Sequence, residues 1–226
     1  MDRIGDAFVW PFRDPEWTKK ILIMGLIQLI PIVGAITGLG WMLAALHNLR
    51  AGEERLPPAN FDHLGRGFRL FVVDLAYYGC LLIIGVVLYV PATVILAQQG
   101  KESANPLLVA IGVGLLLLAF SVFTIGSLLL TFLTPSIVLA FDSGGIAGGL
   151  RIKDVVRTAR ISLTNTLVAG LMLIAAGLVG QLGSIACFIG VVFTLAYAFA
   201  MQARIIHSFE LGTAAPAQLM TDTART

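Results

Sequence analysis

Charge is what this sequence most lacks. Of its 226 residues only 12% are Asp, Glu, Lys or Arg, and 58% are hydrophobic, against roughly 25% and 45–50% in an ordinary soluble domain. Mean hydropathy is +0.91. So few charges exclude a disordered chain, a charged coiled coil and a water-covered globule, whose surface they could not clothe. Two cysteines exclude a disulfide scaffold. Both, Cys80 and Cys187, sit inside apolar runs and read as small core hydrophobes. A balance of 15 basic and 13 acidic residues offers no footprint for nucleic acid. No P-loop, zincin motif, cysteine cluster or dinucleotide fingerprint occurs, so neither cofactor nor metal nor enzymatic activity is expected. A secretory signal is not expected either, because the first 20 residues carry eight charges.

What is present is long uncharged runs: Ile21 to Leu46, Leu75 to Ala97, Pro106 to Phe141 and Ile161 to Ala203. About 20 apolar residues cross a bilayer core. The composition and these runs predict an all-α, polytopic integral membrane bundle. It has about four full transmembrane helices plus an N-terminal kinked span or re-entrant hairpin, and basic amphipathic interfacial helices. We read one membrane domain over 1–226. It divides into an amphipathic segment (1–20), a kinked span or hairpin (21–50), an interfacial helix and span (60–98), a broken span (106–141), an interfacial helix (146–160), a helical hairpin (161–208) and a polar tail (209–226).

The third run is too long for one bilayer. Pro135 and Ser143-Gly144-Gly145 interrupt it, which predicts a span from Leu107 to about Leu133 with a distorted continuation to Phe141. In the fourth, Gly180-Gln181-Leu182-Gly183-Ser184 marks a tight turn. In the first, Asp14-Pro15-Glu16-Trp17 opens a helix with a cap and a first-turn proline. That helix runs to about Ile30, turns at Pro31 to Gly34 and returns from Ala35 to about Arg50. One kinked span is the alternative. Charge asymmetry favours the hairpin, because fourteen of the fifteen basic residues then share one side, leaving only Lys101 opposite. The reading places the protein in the cytoplasmic (inner) membrane with both termini cytoplasmic.

Three polar stretches are amphipathic. Phe61, Leu64, Phe68 and Phe71 share a face after an Asn60 cap, with Arg66 and Arg69 elsewhere. Ile152, Val155, Val156 and Ala159 recur at helical spacing, with Lys153, Arg157 and Arg160 on another face. Ile4, Ala7, Phe8 and Phe12 recur similarly, with Trp10 and Trp17 as interface anchors. Each predicts a helix in the headgroup layer, its basic side toward anionic lipid. For the latter two, an extension of the following span is the alternative. The headgroup-contacting candidates are Lys153, Arg157, Arg160, Arg66 and Arg69. A shift of 91 residues places Arg66, Arg69, Asp74 and Gly79 on Arg157, Arg160, Asn165 and Gly170, a suggestive internal repeat.

Three polar residues are candidates for intramembrane contacts. Asp74 stands at the edge of the second run beside Tyr77 and Tyr78, and is expected to pair with Arg69 or another basic residue near the interface rather than to carry ions or protons. Gln28 and Asn165 are expected to hydrogen-bond between helices. Gly34-x-x-x-Gly38 suits a close helix contact. Phe141-Asp142-Ser143-Gly144-Gly145 has the lettering of a protease nucleophile segment but reads as a Gly-rich break between helices. His47, His63 and His207 read as interfacial residues near helix ends.

With PFRDPEWTKKIL (Pro11 to Leu22), LIPIVG (Leu29 to Gly34), LRAGEERLPP (Leu49 to Pro58) and AFDSGGIAGGLRIKDVVRTAR (Ala140 to Arg160) in view, the chain resembles the prokaryotic membrane proteins labelled domain of unknown function 4013. It departs from them at Pro58-Ala59-Asn60-Phe61, where members usually place an acidic residue and Trp after the proline. The resemblance implies a multi-pass α-helical membrane protein and supplies no catalytic residue. Two function classes remain. The first is a non-enzymatic accessory or structural subunit, its partners being the bilayer, anionic lipid at the cytoplasmic face and other membrane subunits or itself. The second is a small transporter or channel for a small or lipidic solute, suggested by the repeat and the broken helices.

Overall fold

The computed structural model describes residues 2–99, 105–183 and 187–223. Those residues form eight α-helices and no strand: α1 (Asp2–Val9), α2 (Trp17–Gln28), α3 (Val33–Arg50), α4 (Leu64–Gln98), α5 (Pro106–Gly149), α6 (Ile152–Ile161), α7 (Leu163–Leu182) and α8 (Cys187–Thr223). They fall into two compact units, one of residues 1–73 and 132–226, the other of residues 74–131. Three helical stretches are long and apolar enough to cross a bilayer: Phe61–Gln98, Pro106–Gly149 and Leu163–Leu182. The fourth expected span falls on α8. The Ser184 end of the expected turn before it lies outside the described residues.

In the larger unit α8 is the hub. Ala196, Ala198, Ala200 and Ala203 are buried along it beside Met201, Ile205 and Ile206. Ala196, Ala200 and Ala203 share one face and Ala198 lies on the opposite one, which lets neighbouring helices approach closely from both sides. From α7, Ala169, Met172, Leu173 and Ala176 share a core with Met201, Ile205 and Phe209 of α8, and Ala7 of α1 closes it. Trp10 is fully buried and its indole N–H donates to the Ala200 carbonyl at 3.1 Å. It is therefore a core residue and not the lipid anchor expected from its place near the chain start. An indole can be buried when its one donor finds a carbonyl.

The first uncharged run forms a hairpin. α2 ends at Gln28, and the chain reverses through Leu29–Ile32, where Ile32 holds a strained positive φ of 65°. The Arg13–Asp14 segment before α2 bonds to Glu54 and Leu56 after α3, so the two helices run antiparallel. At 12 and 18 residues they are about 18 and 27 Å long, short of the roughly 30 Å bilayer core. Gly34 and Gly38 serve two neighbours. A Cβ at Gly34 would strike the Gln28 backbone, while Gly38 faces the Phe199 ring of α8. Gly40 of α3 and Gly67 of α4 form a backbone-on-backbone crossing, where a Cβ on either would overlap the His63 or Ile36 carbonyl.

Two expectations change. Residues 60–71 do not form a separate interfacial helix. Asn60 caps a 3-10 turn, Phe61–His63, which leads directly into α4. No proline separates Leu64 from the apolar run, and helical hydrogen bonding propagates through Gly65 and Gly67. In the third run, the distorted continuation expected from about Leu133 to Phe141 is regular α-helix. α5 continues through Pro135 to a single non-helical residue, Gly145 (φ 61°, ψ −153°). A proline inside a membrane helix costs one N–H, and neighbouring groups and local adjustment compensate for it. The positive-φ glycine is what turns the chain. The 146–160 stretch does contain a separate helix, α6, which starts at Ile152 and buries Val155 and Ala159.

The smaller unit joins most of α4 to the first part of α5. Leu81 packs on Gly126, and Leu96 on Gly112. Large apolar side chains such as Ile83, Val87, Leu117, Phe120 and Ile125 stand exposed. That surface suits lipid or another membrane protein.

Candidate functional site

Polar groups of the larger unit gather where segments distant in sequence meet. Asp14 is 2% exposed. Its carboxylate accepts from the amides of Glu16 and Leu56, each at 2.8 Å, and from Lys20 Nζ at 2.7 Å. Lys20 also donates to the Leu56 carbonyl at 2.7 Å. Burial raises the Asp14 pKa, but Lys20 and the two amides outweigh it and hold the carboxyl below its ordinary value. Trp41 adds a bond to the Pro57 carbonyl at 3.0 Å. The 51–57 loop is thus fastened at its Leu56–Pro57 end.

Two ion-pair clusters accompany it. Arg13 bridges Asp6 and Glu54, and Arg204 of α8 binds Asp6 and approaches Glu54 at 3.9 Å. The Glu54 bond, reinforced by Asp6 against some burial, raises the Arg13 pKa. Arg50 at the end of α3 binds Asp142 and, at 2.8 Å, Glu210 of α8. Arg66 reaches the other Asp142 oxygen at 3.3 Å. Burial opposes the Arg50 charge, but both acids outweigh it and its pKa is raised. His207 of α8 is held below its ordinary value, first by burial and then by Arg204.

These contacts re-sort the sequence candidates. Arg66 is tied to Asp142. Arg69, Lys153 and Arg160 are exposed and make no ion pair among the described residues. Arg157 is exposed and pairs only with Asp154 of its own helix, at 3.1 Å. Asn165 does bond between helices, donating to the Gly212 carbonyl at 2.8 Å. The Gln28 amide nitrogen is buried with no partner among the described residues, so the inter-helix bond expected of it is not made there. Its backbone at the end of α2 lies against Gly34. Asp74 makes no ion pair among the described residues either, contrary to expectation. It is the sole charged side chain described in 74–131, so no described residue of that unit is a cation for it.

Sequence reasoning missed the ion-pair roles of Asp6, Asp14, Arg50, Glu54, Asp142, Arg204 and Glu210, which fall into three separate groups. The available signal was the charged lettering of the family-like motifs. Asp142 lies in the protease-like segment, yet it is an ion-pair centre. The neighbouring Ser143 hydroxyl donates to Ala140 within its own helix at 3.1 Å.

Beside this end, the bend from α5 into α6 encloses a polar bowl of about 400 Å3. Ser143, Gly144, Gly148, Arg151, Asp154, Arg157 and Thr158 line it. A second hollow of about 620 Å3 follows α6, between Ile152, Val156 and Ile161 and the cations Lys153, Arg157 and Arg160. The smaller unit has a cleft of about 480 Å3 with Gly85 and Ala119 among its lining and walls of Leu82, Tyr89, Leu117, Phe120 and Phe123. No cluster of three metal-ligating side chains occurs among the described residues.

Long apolar helices, a small-residue hub and charges collected at helix ends define an all-α membrane bundle. Within that class the chain belongs to the family described as protein of unknown function (DUF4013), whose sequence model matches residues 23–189. The match contains the LIPIVG, LRAGEERLPP and AFDSGG segments. It begins just after the Pro11–Leu22 motif. No curated protein and no solved structure matches the chain.

Proposed function

We propose that the protein is a non-enzymatic accessory or structural subunit of a larger membrane protein assembly, set in the cytoplasmic membrane with both termini cytoplasmic. The observation that carries this reading is the apolar cleft of residues 74–131. Gly85 and Ala119 are small enough to admit a close-packed neighbour, and the exposed Leu117 and Phe120 are large ridges for it to grip. The larger unit supports the reading by using its charged residues to hold itself together. The free cations of α6 meet anionic lipid at the cytoplasmic leaflet.

A photo-crosslinking residue at Leu117 or Phe120, in native membranes, should yield a discrete adduct with a membrane protein, either another subunit or a second copy. Adducts with lipid alone would overturn the reading. A transporter or channel for a small or lipidic solute is the second reading, favoured by the hairpin reversal at Ile32 and the break at Gly145, features that transporters use at binding sites. Solute flux in liposomes containing the purified chain would bring it forward.

A further inference from the structure

We infer that the bowl at the α5–α6 bend is a seat for the phosphodiester headgroup of an anionic phospholipid. This rests on the reading that α6 lies at an anionic leaflet, and goes beyond it by assigning a bounded site in place of a charged surface.

Ion pairing sorts the cations of the larger unit. Arg13, Lys20, Arg50, Arg66 and Arg204 are bound to acids from other segments. Lys19, Arg55 and Arg69 stand apart from one another in the sequence without an ion pair among the described residues, whereas around α6 such cations fall close together. Arg151, Lys153 and Arg160 make no ion pair among the described residues, and Arg157 has only its own-helix partner Asp154. Two of these four, Arg151 and Arg157, line the bowl together with the Thr158 hydroxyl; the Ser143 hydroxyl lines it too, with its proton given to the Ala140 carbonyl. Guanidinium groups and hydroxyls around a concavity are the donor set that a phosphate takes. Asp154 also lines the bowl and, through its 3.1 Å bond, steadies the Arg157 guanidinium. Gly144 leaves open space where a side chain would stand.

A lipid fits better than a soluble anion because of what flanks the bowl. Leu150, Ile152, Ile161 and Leu163 are 41%, 62%, 43% and 63% exposed. Arg157 lines both the bowl and the hollow that runs along Ile152, Val156 and Ile161. A headgroup in the bowl therefore has an apolar track beside it for an acyl chain. The bowl also lies where a long apolar helix ends and an amphipathic one begins, the level at which headgroups are found.

The test uses the full chain in nanodiscs of phosphatidylcholine carrying a minor fraction of spin-labelled phosphatidylglycerol, scored for immobilised lipid. A spin label on α6 reports its depth in parallel. Gly144→Leu fills the bowl without changing charge, and should abolish the immobilised component while depth stays unchanged. Arg151→Gln should weaken retention about fivefold, the scale of one exposed charged contact. Lys153→Gln, outside the bowl, should leave retention nearly intact. Millimolar inorganic phosphate should not displace the lipid. Equal losses from Arg151→Gln and Lys153→Gln, or full retention in Gly144→Leu, would overturn the seat and leave diffuse attraction. Displacement by phosphate would overturn the lipid assignment in favour of a soluble anion. An α6 lying away from the bilayer would defeat the underlying reading itself.

Discussion

Replacing Asp14 should destabilise the larger unit more than any other single charge removal. Its carboxylate is 2% exposed and receives three donors, one of them the ammonium of Lys20, which is itself only 16% exposed. Removing one partner of such a pair leaves the other charge uncompensated, at a cost of about 3–5 kcal/mol. Lys20 keeps its 2.7 Å bond to the Leu56 carbonyl, which places Asp14→Ala near the lower end, about 3 kcal/mol. Asp14→Asn keeps the shape and should cost about 1–2 kcal/mol, the price of weakened charge-assisted bonds. Because the folded carboxyl titrates below its ordinary value, its contribution is fully present above the unfolded pKa of about 3.9 and is lost as pH falls through the folded pKa. The Asp14→Asn deficit should therefore be constant from pH 8 to about 5 and shrink below about 4. Equilibrium unfolding in mixed micelles, followed by circular dichroism across that pH range, measures it. A loss under about 0.5 kcal/mol for Asp14→Ala, or an Asp14→Asn deficit that persists unchanged at pH 3, would refute the reasoning.

Other outcomes follow from the same packing. Gly40→Leu should prevent folding, since a side chain there meets the His63 carbonyl, whereas Gly79→Leu, with open space around it, should be accepted; yield of monodisperse protein separates them. Trp10→Phe deletes one buried hydrogen bond to Ala200 and should cost about 1–2 kcal/mol in the same unfolding assay. Asp142→Ala frees both Arg50 and Arg66, but Glu210 still holds Arg50 and the site is part-exposed, so a double-mutant cycle with Arg50→Gln should return a coupling of about 1 kcal/mol. Cysteine at the exposed positions of Glu16 and Leu211, in a Cys80→Ser, Cys187→Ser background, should resist an impermeant thiol reagent in intact cells; labelling at residue 16 alone would restore a single kinked span for the first run.

The hairpin was legible because Pro31 and the glycines after it punctuate an apolar run whose flanks carry like charge. Its Gly34 and Gly38 were legible as contact residues, though not as belonging to two different neighbours. Pro135 misled only as to where α5 is distorted: a membrane helix can run through a proline, and the departure falls at Gly145, inside the Ser143-Gly144-Gly145 break that the lettering marked. Trp10 misled for a related reason. An aromatic beside a basic segment fits an interface belt equally well, and only the alanines of α8, two hundred residues away, create the space that buries it. Asp74 shows the limit of spacing rules. Its position at the edge of the second run was plain, but a partner is a three-dimensional fact.

The basic residues carry the most general consequence. Counting them along the chain treats fourteen as equivalent orienting charges. The ion pairs divide them into a locked set and a free set, and the two do different physical work. The locked set ties the N-terminal segment, the 51–57 loop, the Asp142 region and the far half of α8 into one end of the unit. That fastening matters because α2 and α3 are too short to be held by spanning the bilayer, so the hairpin is kept in place by α8 at its apolar face and by Asp14, Arg13 and Arg50 at its open end. The free set, concentrated on α6, is available to whatever lies outside the protein. A residue such as Arg66, matched to Arg157 by the repeat alignment, is therefore tied to a distant segment, while Arg157 pairs only within α6 and is left for the headgroup contact proposed above.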